Sequence, residues 1–129
     1  MKTLRVGIAT YEQMKARTLA IARGEYKAGA HEPQVWFTSA ESFAKVLSDR
    51  NRDLLHIIAE SAPRSLSSLA EQTGRQKSNL SRTLKTMERY GFVQLKRGER
   101  GSLIPRVPYQ TISVVLPLRG PAGQQTEAA

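Results

Sequence analysis

The stretch of sequence that decides the fold is LSSLAEQTGRQKSNLSRTLKTMERYGFVQL, residues 66–95. Its spacing predicts two short amphipathic helices that meet at Gly74. In the second helix, three apolar residues recur at i, i+4 and i+7 and so share one face: Leu80, Leu84 and Met87. At the same period, we expect hydroxyls and cations on the opposite face: Ser78, Ser81, Arg82, Lys85 and Arg89. One face can be buried while the other stays in solvent.

The ends of these helices carry local signals. Ser67 is expected to cap a short helix over residues 68–73, and the long helix is expected over residues 77–90. Gly91 follows at the position where a helix C-terminus favours glycine. The stretch LKRGERGSLIPRVPY, residues 95–109, predicts a β-hairpin with a charged turn. Together these signals predict a helix-turn-helix followed by a wing.

The rest of the chain predicts further short elements. These are strands at about residues 2–9 and 34–37, and helices from Thr10 to near Gly24, at 39–48 and at 50–61. One more strand is expected in TISVVLPL, residues 111–118. The predicted fold class is therefore mainly α with a small β wing (α+β). It would be a winged helix-turn-helix with an N-terminal strand–helix–strand–helix extension.

We expect three regions along the chain. Residues 1–49 would be an extension that forms a dimer interface or binds a partner, with Trp36 either its aromatic anchor or a plain core residue. Residues 50–118 would be the winged DNA-binding domain with a C-terminal strand. Residues 119–129, RGPAGQQTEAA, offer no apolar segment and are predicted to be disordered.

The positive charge is concentrated where the helix-turn-helix is predicted. The chain has 129 residues and a net charge of +9. Residues 1–74 contain ten Lys/Arg and eight Asp/Glu, whereas residues 75–106 contain nine Lys/Arg and two Asp/Glu, a net of +7. A basic patch of this density is the electrostatic footprint expected for a polyanionic partner. We infer that the partner is double-stranded DNA.

Residues 50–108 resemble the winged helix-turn-helix of MarR- and ArsR-like bacterial regulators. The resemblance is carried by a capped short helix, a Leu-Ala pair, Gly74 and the ending LKTMERYGFV, residues 84–93. In that family, the aromatic or aliphatic residue after the helix-ending glycine anchors the wing, and Phe92 and Val93 occupy that place. Gln76 stands where Ser or Asp usually caps the second helix, and glutamine caps poorly, so the helix could begin at Ser78 instead.

This resemblance implies that the second helix enters the major groove and that the wing reaches the backbone or the minor groove. Asn can pair bidentately with adenine and Arg with guanine, each pair contributing about 1–3 kcal/mol of discrimination. The later helix residues and the wing are expected to contact phosphates. The predicted DNA-binding residues are Arg75, Lys77, Ser78, Asn79, Ser81, Arg82, Lys85, Arg89, Lys96, Arg97 and Arg100.

A wider resemblance extends over about residues 1–118. It is carried by MKTLRVGIATYEQMKARTLAIARGEY, EPQVWFTSAESFAKVLSDRN and SNLSRTLKTMERYGFVQL. These segments are similar to a small group of bacterial and archaeal DNA-binding proteins with a MarR-like domain. Members are commonly the antitoxin of a toxin–antitoxin pair, which implies that the chain neutralises a cognate protein toxin and represses the shared promoter. Such proteins normally bind DNA as two-fold homodimers.

Two other functions remain open at this point. The first is a stand-alone MarR/ArsR-like transcriptional regulator without a toxin partner, and a neighbouring toxin gene would distinguish it from an antitoxin. The second is a winged module that binds RNA. The helix pattern favours DNA over RNA, because A-form RNA closes its major groove to side chains.

Catalysis, cofactors and metals are not expected. The chain has no cysteine, which excludes a thiolate nucleophile or a zinc–thiolate site. His31 and His56 are far apart in sequence, and His56 is expected to be partly buried in a helix. No acidic residue has a matching base or metal partner. No apolar run approaches the roughly 20 residues that span a bilayer, so we expect a cytoplasmic protein without a membrane partner.

Overall fold

The structure, a computed structural model, describes residues 2–119. Within this range the fold is α+β, with five α-helices and five strands. The elements are β1 (Thr3–Ile8), α1 (Tyr11–Ala22), β2 (Val35–Phe37), α2 (Ala40–Val46), α3 (Asp49–Ser61), α4 (Leu66–Thr73), α5 (Lys77–Arg89), β3 (Gln94–Arg97), β4 (Leu103–Arg106) and β5 (Thr111–Val115). The predicted α+β class is confirmed. Apart from Arg119, the predicted disordered tail lies outside the described residues.

The chain divides into two compact units. The helical unit comprises Lys45–Gln110 together with Lys2, and it contains α3, α4, α5 and the β3–β4 hairpin. The three-stranded unit comprises, within the described residues, Thr3–Ala44 and the residues from Thr111 to Arg119. Its N-terminal part has the order strand, helix, strand, helix that the sequence predicts.

The three-stranded unit is built on a parallel sheet with the order β2-β1-β5. Val6 of β1 pairs with Val35 of β2, while Thr3 pairs with Thr111 of β5. The C-terminal strand was expected to belong to the winged domain of residues 50–118, but it completes the sheet of the other unit. The reason is that the pairing joins residues more than 100 positions apart, for which no local pattern exists.

The start of α1 follows the sequence prediction. The Thr10 hydroxyl accepts the backbone N–H of Gln13, and the Gln13 side chain accepts the N–H of Thr10, which forms a capping box. No residue of α1 is fully buried, and Leu19 and Ile21 are exposed.

A tryptophan packs closely on a glycine in this sheet. Trp36 and Gly7 are partners in the register of β1 and β2, and a Cβ atom on Gly7 would lie 2.4 Å from Cζ3 of Trp36. The Arg17 guanidinium lies 5.5 Å from the Trp36 ring centroid and also donates to the Glu32 carboxylate at 3.0 Å. Trp36 is therefore held between a strand and a cation, and it is only half-buried.

The helical unit has its own apolar core. The fully or almost fully buried side chains come from all three helices and from the segment after α5: Leu54, Ile58, Leu69, Leu80, Leu84, Met87, Phe92 and Val93. Gly74 ends α4 with a φ of +72°, a conformation that favours glycine. The prediction that Ser67 caps α4 is wrong: the Ser65 hydroxyl accepts the N–H of Ser68, and the helix begins at Leu66.

The β3–β4 hairpin is antiparallel and is attached to the helices. Gln94 pairs with Arg106, and the turn is closed by the Gly98 N–H, which donates to the carbonyl of Ser102 at 2.7 Å. An Arg106 Nη1–H donates to the carbonyl of Pro63 at 2.7 Å, in the connection between α3 and α4. This bond fixes the base of the hairpin to the helices.

Candidate nucleic-acid interface

Helix α5 is fixed by one fully buried face. Leu80, Leu84 and Met87 are 0% exposed, as the sequence spacing predicts. The helix begins at Lys77 rather than at Ser78, and Gln76 occupies the N-cap without a side-chain hydrogen bond. A helix held by three buried side chains cannot rotate about its axis, so its opposite face is presented in a defined orientation.

The opposite face of α5 is exposed and basic. Ser78, Arg82, Lys85 and Arg89 are exposed and follow each other at i, i+4, i+7 and i+11. We call these four residues the α5 stripe. At a rise of 1.5 Å per residue, the stripe is about 16 Å long. Lys77 and Asn79 are also exposed, in the first turn of the helix.

Ser81 lies at the border of this face and not at its centre. The exposure of its side chain is intermediate, between that of the buried and of the exposed residues of α5. It follows Leu80 directly and precedes Leu84 by three positions, which places it at the border of the buried face. Ser81 is therefore less accessible to a ligand than Ser78 or Arg82.

Two long hydrogen bonds connect side chains along the exposed face. Arg82 Nη2 donates to the Asn79 Oδ1 at 3.4 Å, and Arg89 Nη2 donates to the Thr86 hydroxyl at 3.4 Å. Bonds of this length between exposed groups are weak. They orient the two guanidinium groups without occupying most of their donors.

In the described part of the chain, no cation of the helical unit forms a salt bridge with a carboxylate. Within residues 2–119, Arg17 and Glu32 of the three-stranded unit form a salt bridge. In the same range, no carboxylate lies at salt-bridge distance from the α5 stripe or the hairpin cations. Residues 45–110 contain thirteen Lys/Arg and six Asp/Glu, a net charge of +7. The surface is thus a source of positive potential that is not neutralised locally.

The hairpin adds three exposed cations. Lys96 and Arg97 are consecutive in β3, so their side chains leave opposite faces of the hairpin. Arg100 lies in the turn Glu99–Gly101 with a φ of +57°, in the left-handed region.

Arg75 differs from the other predicted DNA-binding residues. It lies between α4 and α5, is half-buried, and its backbone N–H donates to the Thr73 hydroxyl at 3.3 Å. Its Nε is buried and has no hydrogen-bond partner in the described part of the chain. Burial, and then the nearby charge of Arg50, lower the pKa of the Arg75 guanidinium.

The sequence missed the structural role of Arg106. Its place in the basic segment indicates only a contribution to the positive charge. In the structure, its guanidinium donates a hydrogen bond to the Pro63 carbonyl. No local signal predicts that contact, because the two residues are 43 positions apart.

Neither histidine belongs to the α5 stripe or to the hairpin. His31 and His56 are both exposed, and the prediction that His56 is partly buried is wrong, because the buried face of α3 is formed by Leu54, Leu55 and Ile58. Among residues 2–119, no three His, Asp or Glu side chains are grouped as a metal site would require. No helix in that range has the length and apolar content needed to cross a membrane.

The part of the chain that carries this surface also matches a family model. The model of HVO_A0114 matches residues 46–114, which is more than half of the 129 residues. The chain belongs to the HVO_A0114 family. The HVO_A0114 match covers α3, α4, α5 and the hairpin, and also the first four residues of β5. None of the curated proteins with which the chain was compared matches it.

Proposed function

We propose that the helical unit is a winged helix-turn-helix that binds double-stranded DNA and represses transcription in the cytoplasm. Helices α4 and α5 would form the helix-turn-helix, and the β3–β4 hairpin would be the wing. The observation that carries the proposal is the exposed, basic α5 stripe opposite a fully buried face. Base recognition requires side chains in fixed positions, which such a helix provides. The proposed activity is binding and not catalysis.

The dimensions and charge of α5 support this function. A helix with its side chains is about 10–12 Å wide, which matches the roughly 12 Å width of the major groove. Within residues 2–119, no carboxylate neutralises the stripe, so its cations are available to phosphates. Release of counterions from DNA would then supply much of the affinity.

The residues would divide into two groups. Asn79 and Arg82 lie in the first half of α5, touch each other at 3.4 Å, and carry the side chains that pair bidentately with adenine and guanine. Lys85 and Arg89 are further along the helix, where phosphate contacts are expected. From the hairpin, Arg100 and one of the two neighbours Lys96 and Arg97, which lie on opposite faces of β3, would contact the backbone or the minor groove.

The test compares Arg82→Ala with a matched control, Lys15→Ala, which removes an exposed cation from α1. A preferred duplex is first selected from a random pool, and affinities for it and for random DNA are measured by fluorescence anisotropy. Loss of a base contact of about 1–3 kcal/mol predicts that Arg82→Ala weakens binding to the selected duplex by about 5- to 150-fold. Random DNA should be affected less, and Lys15→Ala should change neither affinity. Unchanged binding of Arg82→Ala to both DNAs would contradict the proposal.

RNA binding, toxin neutralisation and stand-alone regulation are distinguished by separate measurements. Excess A-form RNA should fail to displace the selected duplex, because its narrow major groove excludes α5. The antitoxin activity stays a prediction from resemblance, as does homodimer formation. Co-expression with the adjacent open reading frame, followed by pull-down and a growth assay, tests it; absence of a partner would favour the stand-alone regulator.

A further inference from the structure

Strand β5 forms one edge of the parallel sheet. In residues 2–119 the strand order is β2-β1-β5, and no strand pairs with the outer side of β5. An edge strand directs alternate N–H and C=O groups outward, where another strand can pair with them. The outer edge of β5 can therefore pair with another strand unless its sequence blocks such pairing.

Within its five residues, Thr111–Val115, the β5 edge has no charged residue, no proline and no bulge. The segment TISVVLPL, residues 111–118, contains no charged residue, and its strand, Thr111–Val115, contains no proline. The register with β1 runs without a bulge from Thr3–Thr111 to Gly7–Val115. Natural edge strands are usually blocked by lysines, prolines or bulges. Apolar side chains are also exposed here: Val114 is 43%, Leu116 59% and Leu118 91% exposed.

Charge and sequence identify the occupant as a second copy of the chain. Two molecules of net charge +9 repel each other over most of their surfaces, but this edge is uncharged. The strand is also complementary to itself: antiparallel pairing centred on Ser113 sets Thr111 against Val115 and Ile112 against Val114. Every pair is then uncharged and formed by residues that favour strands, with Ser113 on the axis.

Other occupants fit less well. The C-terminal residues 120–129, GPAGQQTEAA, contain one β-branched residue and are rich in glycine and alanine, which disfavour strands. The opposite edge of the sheet, β2, has three residues and offers a shorter pairing surface.

We propose that β5 pairs in antiparallel fashion with β5 of a second copy, which joins two three-stranded sheets into one continuous sheet around a two-fold axis. The pairing is isologous, since the same residues contribute on both sides. The residues proposed to contact DNA belong to the helical unit, so the pairing can be tested without DNA.

A disulfide at the axis tests the register directly, because the chain has no natural cysteine. The pairing sets the two Ser113 Cα atoms about 4.5–5.5 Å apart, a distance that a disulfide spans. Ser113→Cys should therefore give a covalent dimer under mild oxidation. The matched control is Thr111→Cys in the same strand, whose two copies would be about 13 Å apart and should stay unlinked. Equal linking of both variants, or of neither, would overturn the proposed pairing.

The mass in solution provides a second test. Sedimentation velocity should show a particle of twice 14.3 kDa for the unchanged chain. Val114→Lys, which adds a charge to each edge, should weaken the dimer at least tenfold, whereas Val114→Thr should preserve it; circular dichroism checks that both fold. A monomeric unchanged chain would overturn the proposal, and so would a chain that dimerises only after residues 120–129 are deleted. Arg82→Ala should remain dimeric, so a failure of DNA binding is distinguishable from a failure of dimerisation.

Discussion

The salt dependence of DNA binding can be predicted from the exposed cations. Helix α5 and the hairpin carry seven exposed Lys/Arg side chains: Lys77, Arg82, Lys85, Arg89, Lys96, Arg97 and Arg100. If all of them contacted phosphates, log K would fall with log salt concentration with a slope of about −6.3 per protomer. The affinity would then drop about 6,000-fold between roughly 50 and 200 mM salt. Base contacts would make the true slope smaller in magnitude.

The hairpin allows a sharper test, because Lys96 and Arg97 leave opposite faces of β3. A hairpin that lies on DNA by one face can use only one of them. Removal of one phosphate contact reduces the magnitude of the slope by about 0.9. We expect one of the single variants, Lys96→Ala or Arg97→Ala, to show this change and the other to show none. The double variant should match the effective single variant.

Affinities are measured by fluorescence anisotropy at five or more salt concentrations on the same duplex. Lys15→Ala, which removes an exposed cation from the three-stranded unit, should leave the slope unchanged. If both single variants reduced the slope and the double variant reduced it by about 1.8, the argument from opposite faces would be refuted. If none reduced it, the hairpin would not belong to the interface.

Two further predictions concern stability, and urea denaturation measures both. Gly7→Ala should lower the free energy of unfolding by about 1–3 kcal/mol, because the new methyl group would overlap the Trp36 ring. The control is the same substitution in a Trp36→Leu background. A similar loss of stability there would show that the overlap is not the cause. Ala62→Gly should raise the free energy of unfolding by about 0.5–1 kcal/mol. Ala62 has a φ of +44° at the end of α3, and glycine adopts this conformation without a side-chain clash. An unchanged free energy of unfolding would mean that the alanine is not strained there.

The helical unit could be predicted from sequence because its signals are local. The buried face of α5 follows from an i, i+4, i+7 spacing, and Gly74 and Gly91 mark the helix ends. The errors are also local and small. Ser65, Ser67 and Ser68 can all cap a helix, and only the backbone conformation selects Ser65.

Side chains at the border of a helix face are harder to predict. The helical spacing predicts Ser81 on the exposed face of α5, whereas the structure places it at intermediate exposure beside the buried residues Leu80 and Leu84. Small hydroxyl residues tolerate both environments, so their identity does not report burial. The same limit applies to Arg75, whose charge predicts exposure although its Nε is buried.

The three-stranded unit shows why the domain boundary could not be placed from sequence. A parallel partner for β1 cannot come from a tight turn: β2 is reached through the crossover helix α1, but nothing local indicates which later segment pairs with the other edge of β1. Here that partner is β5, which begins at Thr111, after the whole helical unit. A boundary at residue 49 would separate β1 and β2 from the strand that completes their sheet. A fragment of residues 1–49 would therefore leave the β1 edge that pairs with β5 without its partner strand, whereas residues 45–110 keep α3, α4, α5 and both strands of the hairpin.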